Sequence, residues 1–388
     1  MLNAVRDRYL SDGTFDGLSV AVSLPVEAKT AYLYAVLAEA GASVALASPG
    51  PFFVQDDVAA ALAERGVEVY ASSATPPDSD EELLAALEIE PDVIVDDRAG
   101  LARLLHTERR DLLQKVRGVS EETTSGVARL AAMHAEGMLA VPAIAANDAR
   151  CKHLFDNRYG TGQSTLTAIM QNTNLMLGGK RVVVLGYGWC GKGIARYAAG
   201  LGARVTVCET DPVKGLEAYA DGYDALPALE AAKFGEVFIT ATGSRDVLTA
   251  EHFARMRDGA ILTNAGGVDV EIDVPGLAGM ASGKRQARGS GVEEFVMPDG
   301  RRLDLIGGGR VVNITAGDGH PIEIMDLTFS VQALAAHHLA NRRITAPGVH
   351  LLPARIDDGV AATKLESAGM GVDSLSAAQK EFLTSWRE

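Results

Sequence analysis

The stretch Arg181-Val-Val-Val-Leu-Gly-Tyr-Gly-Trp-Cys-Gly-Lys-Gly-Ile-Ala-Arg196 decides the fold of this 388-residue chain. A β-branched apolar run ends in a glycine-rich turn, and apolar residues then recur at helical spacing. Gly186 permits a tight turn, Gly188 lets a ligand approach the backbone, and Gly191 allows close packing of helix on strand. The stretch therefore predicts a strand–turn–helix unit with a binding site at the start of the helix.

A second strand is predicted over 204–208, and it ends at an acidic residue, Glu209. In such units the phosphates of a dinucleotide bind the N-terminus of the helix, and the acidic side chain accepts hydrogen bonds from ribose hydroxyls. The carboxylate of Glu209 would repel a 2′-phosphate, and no arginine follows it immediately. The motif predicts bound NAD rather than NADP; a glycine turn that binds nothing is the alternative.

Short apolar strands alternate with helices on both sides of this unit. The further strands are predicted over 18–22, 43–47, 68–70, 93–96, 236–242 and 260–264, and the helices over 28–40, 55–65, 191–201 and 377–386. Strands that are separated by helices form parallel sheets. The fold class is therefore α/β, with two doubly wound Rossmann-like domains and a short helical C-terminal tail.

The length of the chain favours two domains. We predict a substrate-binding domain over 1–155, completed by about 320–360, an NAD-binding domain over 156–319 and a helical tail over 361–388. Glycine clusters at 283–291 and 307–309 interrupt the pattern, and the acidic stretch 76–90 is typical of a solvated loop and helix face.

Composition excludes several classes of protein. With 51 Asp and Glu against 36 Lys and Arg, the net charge is −15, which disfavours nucleic acid and anionic membrane surfaces as partners. Three cysteines fit neither a disulfide framework nor a metal site. No export signal or membrane-spanning run is recognisable. We therefore expect a cytoplasmic protein without a metal.

Several segments together resemble the adenosylhomocysteinase family, and their order and spacing are specific. They lie at 118–124, 147–148, 155–164, 186–193, 269–272 and 317–321. The version Asn157-Arg-Tyr-Gly-Thr-Gly-Gln-Ser164 and the absence of a lysine- and tyrosine-containing tail are similar to the shorter bacterial and archaeal branch. The resemblance covers essentially the whole chain and implies a homo-oligomer, a tetramer in that family.

The resemblance implies an enzyme that keeps its NAD. In that family NAD oxidises the 3′-hydroxyl of an adenine nucleoside, which acidifies the C4′ proton. The 5′ substituent is then expelled, water adds to the 4′,5′-ene, and the ketone is reduced again.

Site residues follow from the same resemblance. Lys152 would take the 3′-hydroxyl proton, Asp156 and Glu122 would hold sugar hydroxyls, Asn157 would lie beside the nicotinamide, and Asp97 near C4′. The remaining cofactor contacts would be Thr123, Thr124, Asn264 and Asn313. The remaining substrate contacts would be Glu27, Lys29 and Thr30 at the purine, Gln55 near the ribose, and His320 and Met325.

The residues by themselves leave alternatives open. Lys152 and Asp156 share a face if their segment is helical, and could form a surface ion pair of little consequence. Glu122 could belong to a helix capping box around Ser120. His320 could be structural. The purine-side group and Gln55 could be ordinary residues at helix N-termini.

The chain departs from the family at two histidines that serve proton transfers near the 5′ carbon. Pro25 and Gly267 occupy their positions. The family's Asp-Asp-Gly-Gly-Asp run is also altered, to Asp96-Asp-Arg-Ala-Gly100. General acid–base groups typically contribute about 10²- to 10⁴-fold each, so conventional hydrolysis should suffer.

We therefore hypothesise a divergent paralogue, a dehydratase or lyase that leaves an unsaturated nucleoside, as a nucleoside antibiotic pathway would need. Hydrolysis of S-adenosylhomocysteine to adenosine and homocysteine is the first alternative. A catalytically silent, NAD-binding regulatory protein is the second.

Overall fold

The computed structural model describes residues 1–77, 79–286 and 291–386, and its strands form two sheets. The first sheet contains β1 (Ser19–Ser23), β2 (Ser43–Ala47), β3 (Glu68–Val69), β4 (Val93–Asp96), β5 (Gly118–Glu121), β6 (Pro142–Ala145) and β15 (Gly348–Leu351). The second contains β7 (Arg181–Leu185), β8 (Arg204–Cys208), β9 (Asp224–Ala225), β10 (Val237–Thr240), β11 (Ala260–Asn264), β12 (Gly283–Gln286), β13 (Val292–Val296) and β14 (Arg302–Ile306).

Helices cover both sheets. They are α1 (Leu2–Val5), α2 (Ala28–Glu39), α3 (Asp56–Glu64), α4 (Glu81–Leu87), α5 (Gly100–Thr107), α6 (Thr124–Ala135), α7 (Arg150–Lys152), α8 (Thr161–Thr173), α9 (Trp189–Gly200), α10 (Pro212–Ala220), α11 (Ala228–Ala231), α12 (Ala250–Phe253), α13 (Val274–Met280), α14 (Val312–Thr315), α15 (Ile322–Ala340), α16 (Ala354–Ser367) and α17 (Ala377–Thr384). Two segments, Arg6–Leu10 and His153–Gly160, form wider π-helical turns.

The first sheet is parallel throughout, in the order β15-β6-β5-β4-β1-β2-β3. Its central strand β4 is buried on both faces, as expected where helices cover a parallel sheet. Alternate residues of the strands enter two apolar clusters, one on each face. The α/β fold class is thus confirmed, while the domain bounds stay a prediction. The late strand β15 does pair with β6 of the first sheet.

The second sheet has the order β12-β13-β14-β11-β10-β7-β8-β9. The predicted strands and the helix after the glycine turn are present. The antiparallel strands β12, β13 and β14 were not predicted. β13 and β14 follow one another through a short turn instead of a helix, and the glycines in this region were interpreted only as interruptions. Residues 287–290, inside one glycine cluster, lie outside the described part of the chain.

The acidic stretch 76–90 contains α4 flanked by loop, as predicted, although residue 78 is outside the described residues. At the other end, α17 buries none of its residues, and Phe382 and Leu383 are exposed. Within the ranges that the structure describes, no helix is both long and apolar enough to cross a membrane.

Two helices pack unusually closely where the sheets are joined. A Cβ added at Gly193 of α9 would lie 1.7 Å from the carbonyl oxygen of Arg158 in the π-helical turn. A Cβ added at Gly162 of α8 would lie 2.7 Å from the backbone of Gly193. The missing side chains therefore let the cofactor-side helix α9 rest directly on the turn at 153–160.

This contact predicts that a glycine-to-alanine substitution has different effects on the free energy of unfolding at two positions of α9. Gly193→Ala should destabilise the protein by about 1–3 kcal/mol, because backbone has to move to admit the methyl group. Gly200→Ala, whose Cβ would meet nothing within 4 Å, should be neutral or stabilise by up to about 1 kcal/mol. Urea unfolding of both variants measures this, and a neutral Gly193→Ala would contradict the packing.

Candidate functional site

A cavity of about 1360 Å³ lies between the two sheets. It opens where the carboxyl ends of the parallel strands meet, the usual ligand site of open α/β sheets. Most of the predicted site residues line it: Glu27, Lys29, Thr30, Gln55, Asp97, Glu122, Thr123, Thr124, Lys152, Asp156, Asn157, Gly186, Gly188, Glu209, Asn313, His320 and Met325. The structure thus brings together residues that are almost 300 positions apart.

Lys152 is the centre of a buried polar cluster. Its Nζ lies 2.7 Å from Asp156 Oδ1 and 2.8 Å from Asn157 Oδ1. The other oxygen of Asp156 accepts a hydrogen bond from Thr328 at 2.8 Å and lies 3.3 Å from His320 Nδ1. The side chains of Lys152 and Asp156 are only 6% and 4% exposed, so the alternative of a surface ion pair is wrong.

The charges in this cluster stabilise one another. Burial alone would lower the pKa of Lys152, but the charges of Asp156 and Glu122 outweigh it and raise that pKa. Burial would raise the pKa of Asp156, but the charge of Lys152 and the contact with His320 lower it. The two side chains therefore form a charged pair. An ammonium group has three hydrogens, and two of them are directed at Asp156 and Asn157, so one stays available for a ligand oxygen.

Two carboxyl groups at the cavity each have one oxygen without a partner among the described residues. Asp97 Oδ1 and Glu122 Oε2 are buried and make no hydrogen bond within the described residues. Burial raises the pKa of both, that of Glu122 to about 8, and nearby carboxylates add to this effect. The charge of Arg98 opposes the rise at Asp97, and that of Lys152 opposes it at both. Buried polar atoms are normally paired. These two oxygens are therefore suited to bind a hydroxylated ligand.

A neighbouring carboxylate, which the sequence did not single out, holds the loops that carry these groups. Glu121 accepts hydrogen bonds from the backbone N–H groups of Arg98, Ala99 and Thr123. It therefore ties the loop after β4 to the loop after β5.

The capping-box alternative for Glu122 is wrong. Helix α6 begins at Thr124 and is capped by the Thr123 hydroxyl, which accepts from the Gly126 N–H. Ser120 instead lies within β5, where its hydroxyl donates to Gln332.

The glycine turn has a geometry that fits a dinucleotide. Gly186 has a φ of +99°, and a Cβ at Gly191 would lie 1.9 Å from the Gly186 carbonyl oxygen. A Cβ at Gly188 would meet nothing within 4 Å, so open space lies beside the start of α9. Phosphate oxygens bind such helix N-termini. Gly191 does not line the cavity; its role here is the close packing.

Two polar side chains, those of Glu209 and Asn313, line the cavity together with the glycine turn. Glu209 accepts hydrogen bonds from the N–H groups of Tyr187, Thr210 and Asp211. Burial would raise its pKa, but these bonds lower it, so the carboxylate is charged. Asn313 Oδ1 is buried without a partner among the described residues, which leaves an acceptor for a ligand amide.

Two predicted cofactor contacts have other neighbours in the structure. Asn264 does not line the cavity, and its amide donates to the Val268 carbonyl oxygen while its oxygen accepts from the Gly266 N–H. It shapes the loop after β11. Thr124 does line the cavity, and its hydroxyl lies 3.5 Å from the amide nitrogen of Asn157.

Glu27 and Lys29, which are predicted to contact the purine, fit both interpretations: they are residues of a helix N-terminus, and they also line the cavity. Glu27 caps α2, because its carboxylate accepts from the N–H groups of Lys29 and Thr30. Lys29 Nζ lies 3.0 Å from that carboxylate and donates to the Asp318 carbonyl oxygen at 2.6 Å. They are helix N-terminal residues that also face the cavity.

The departures from the family pattern lie in the cavity wall. Pro25 and Gly267 both line it. Of the described residues in that wall, His320 alone carries an imidazole, and its two nitrogens contact Asp156 and Thr161. Arg98 and Phe53 also line the wall and were not predicted; an arginine in place of a family glycine was the available signal.

The raised pKa of Glu122 predicts a pH dependence of stability. The folded side chain titrates near 8, against about 4.3 in the unfolded chain, so its contribution is complete below about pH 4 and is lost as pH rises through about 8. From about pH 5 to about pH 7.5, the free energy of unfolding should therefore fall more steeply in the wild type than in Glu122→Gln, by about 1.4 kcal/mol per pH unit.

Urea titrations across that pH range measure the difference. Glu64→Gln, which removes an exposed carboxylate of α3, is the matched control and should keep the wild-type slope. Equal slopes in the wild type and Glu122→Gln would contradict the assigned burial of this side chain.

Comparison with known proteins gives the family. The chain matches the family described as S-adenosyl-L-homocysteine hydrolase over residues 1–112, and its NAD binding domain over residues 157–319. It is 50% identical over 390 residues to S-inosyl-L-homocysteine hydrolase of Methanopyrus kandleri. This match covers 100% of this chain and 92% of that protein. It is 48% identical over 390 residues to adenosylhomocysteinase of Thermotoga maritima, with 100% and 96% covered. The chain therefore belongs to the S-adenosyl-L-homocysteine hydrolase family and is an NAD-binding enzyme of that family.

Proposed function

We propose that this enzyme oxidises the 3′ position of a purine nucleoside, expels the 5′ substituent and releases an unsaturated nucleoside. One observation carries the proposal. The wall of the cavity holds Pro25 and Gly267 where the family pattern has imidazoles, while the Lys152 cluster is complete. The groups that serve the sugar ring are kept, and the two that would serve proton transfers to the leaving group and from water at the 5′ carbon are absent.

NAD, held by the turn at Gly186 and Gly188 and by Glu209, would supply the hydride acceptor and donor for the 3′ carbon. The free hydrogen position of Lys152 Nζ receives the 3′-oxygen, and the orphan oxygen of Glu122 binds a neighbouring hydroxyl. Asp97 removes the C4′ proton, and burial raises the pKa of this carboxyl group, which makes it a stronger base. Because the pKa of Lys152 is raised as well, proton transfer from the 3′-hydroxyl should become faster with increasing pH.

The elimination balances without a further reactant. The C4′–H bond breaks, its electrons form the C4′=C5′ bond, and the C5′–O bond breaks. The departing hydroxide takes up the proton removed from C4′ and leaves as water. The net change is the loss of one water from the nucleoside.

Hydrolysis of a thioether nucleoside is the second candidate, and the relatives support it better than they support elimination alone. They are named S-inosyl-L-homocysteine hydrolase and adenosylhomocysteinase. It shares the oxidation and elimination steps and then adds water. A silent regulatory protein is disfavoured, because Lys152, Asp156 and Asn157 retain a geometry that binding alone does not need. A homo-oligomeric assembly remains part of the proposal.

The test is a product assay in D₂O with adenosine, inosine, S-adenosylhomocysteine and S-inosylhomocysteine. We expect a product lighter by one water from a 5′-hydroxylated nucleoside and no homocysteine from the thioethers. Homocysteine released together with a water-added nucleoside would establish the hydrolase instead. Absence of deuterium exchange at C4′ with all four compounds would overturn both enzymatic readings.

The matched variant restores the missing imidazoles, as Pro25→His combined with Gly267→His. In ¹⁸O-labelled water it should raise the fraction of nucleoside that carries ¹⁸O at the 5′ position by at least about tenfold, since each acid–base group typically contributes about 10²- to 10⁴-fold. An unchanged product distribution in this variant would show that the two positions do not determine the outcome.

A further inference from the structure

Arg98 occupies an unusual backbone position at the edge of the cavity. Arg98 and Ala99 have φ values of +64° and +53°, a region that favours glycine. The loop is held there by Glu121, which accepts from both N–H groups, and by Arg129, which donates to the Arg98 carbonyl oxygen at 2.7 Å. A bulky cationic side chain is therefore placed where the family pattern has glycine.

The Arg98 side chain crosses from the first sheet to the second. Its NH1 lies 3.2 Å from Asp269 Oδ2 and its NH2 lies 3.5 Å from Asp269 Oδ1. The guanidinium carbon is also 4.8 Å from the centre of the Phe53 ring. Asp269 follows Gly267 by two residues, so the ion pair holds the loop that carries one of the lost imidazoles.

A second arginine makes the reverse crossing beside it. Arg310, which follows β14 of the second sheet, lies 3.7 Å from the centre of the Phe52 ring. Phe52 and Phe53 belong to one short turn after β2, and both line the cavity, as does Arg98. Two arginines from opposite sheets thus engage adjacent aromatic rings at the same rim.

We propose that Arg98 is a positioning residue that determines the reaction outcome by keeping bulk water out of the wall formed by Pro25 and Gly267. Through Asp269 it holds the Gly267 loop against the loop after β4 and fills the rim that two small residues would leave open. The unsaturated nucleoside then leaves the site before water adds to it. This inference rests on the proposed elimination and concerns the step that follows it.

The experiment measures how much ¹⁸O enters the 5′ position of recovered nucleoside during turnover in ¹⁸O-labelled water, relative to the unsaturated product released. Arg98→Gly should raise this ratio about three- to tenfold, the size expected for one partly exposed ion pair with an aromatic contact. Asp269→Asn should act in the same direction. The double variant should be no worse than Arg98→Gly, because both substitutions break one interaction.

Arg342→Gly is the matched control. Arg342 also has a positive φ, of +50°, but it is exposed and does not line the cavity. This variant removes the same charge at a similar backbone position and should keep the wild-type ratio. An unchanged ratio in Arg98→Gly, or an equal rise in Arg342→Gly, would overturn the proposal.

Hydrogen exchange separates this inference from the proposed function. If the wild type released only hydrolysis products, elimination would be wrong, and the water-excluding role would fall with it. The ion pair would then be judged alone, from amide exchange over residues 264–272. Faster exchange in Arg98→Gly than in Arg342→Gly would support a stabilising ion pair between Arg98 and Asp269. Equal exchange in the two variants would contradict that role as well.

Discussion

The buried ion pair between Lys152 and Asp156 is the constraint on which the site depends. An ammonium and a carboxylate with almost no exposure are stable only when each is paired and hydrogen-bonded. Thr328 and His320 satisfy the second oxygen of Asp156, and Asn157 satisfies Lys152. Because α15 supplies Thr328, the cluster forms only when that late helix packs against the π-helical turn.

The same need to provide hydrogen-bond partners for buried carboxyl groups determines the structure of the loops around the site. Glu121 is fully buried, and its carboxyl group accepts hydrogen bonds from backbone N–H groups. These bonds fix the loops that present Asp97 and Glu122. Glu271 does the equivalent in the cofactor half, where it accepts from the N–H groups of Thr242 and Gly243. Neither Glu121 nor Glu271 lines the cavity, yet both organise the loops of its wall. Asp97, Glu122 and Asn313 do line it, and each has one buried oxygen without a partner among the described residues.

Local sequence predicted what local physics determines. The predicted strand has the observed bounds, Arg181–Leu185, and the helix after it was predicted within two residues. The turn geometry at Gly186 followed from the glycine spacing. Strands β12, β13 and β14 were missed because the expected pattern was one of strands separated by helices, whereas β13 and β14 are antiparallel and are joined by a tight turn. The burial of Lys152 could not be read from its neighbours, since it depends on α15. The Arg98–Asp269 contact joins residues 171 positions apart, and the periodicity of apolar residues along the chain does not predict it.

In the proposed reaction Asp156 sets the proton affinity of Lys152, and the deprotonated form of Lys152 accepts the 3′-hydroxyl proton. The most direct measurement is the pH dependence of the rate at which bound NAD is reduced after rapid mixing with adenosine or inosine. The rate should rise with pH in the wild type, and its midpoint should move to lower pH in Asp156→Asn, because the carboxylate that raises the lysine pKa is lost. A midpoint that stays in place, or full reduction in Lys152→Met, would contradict the account.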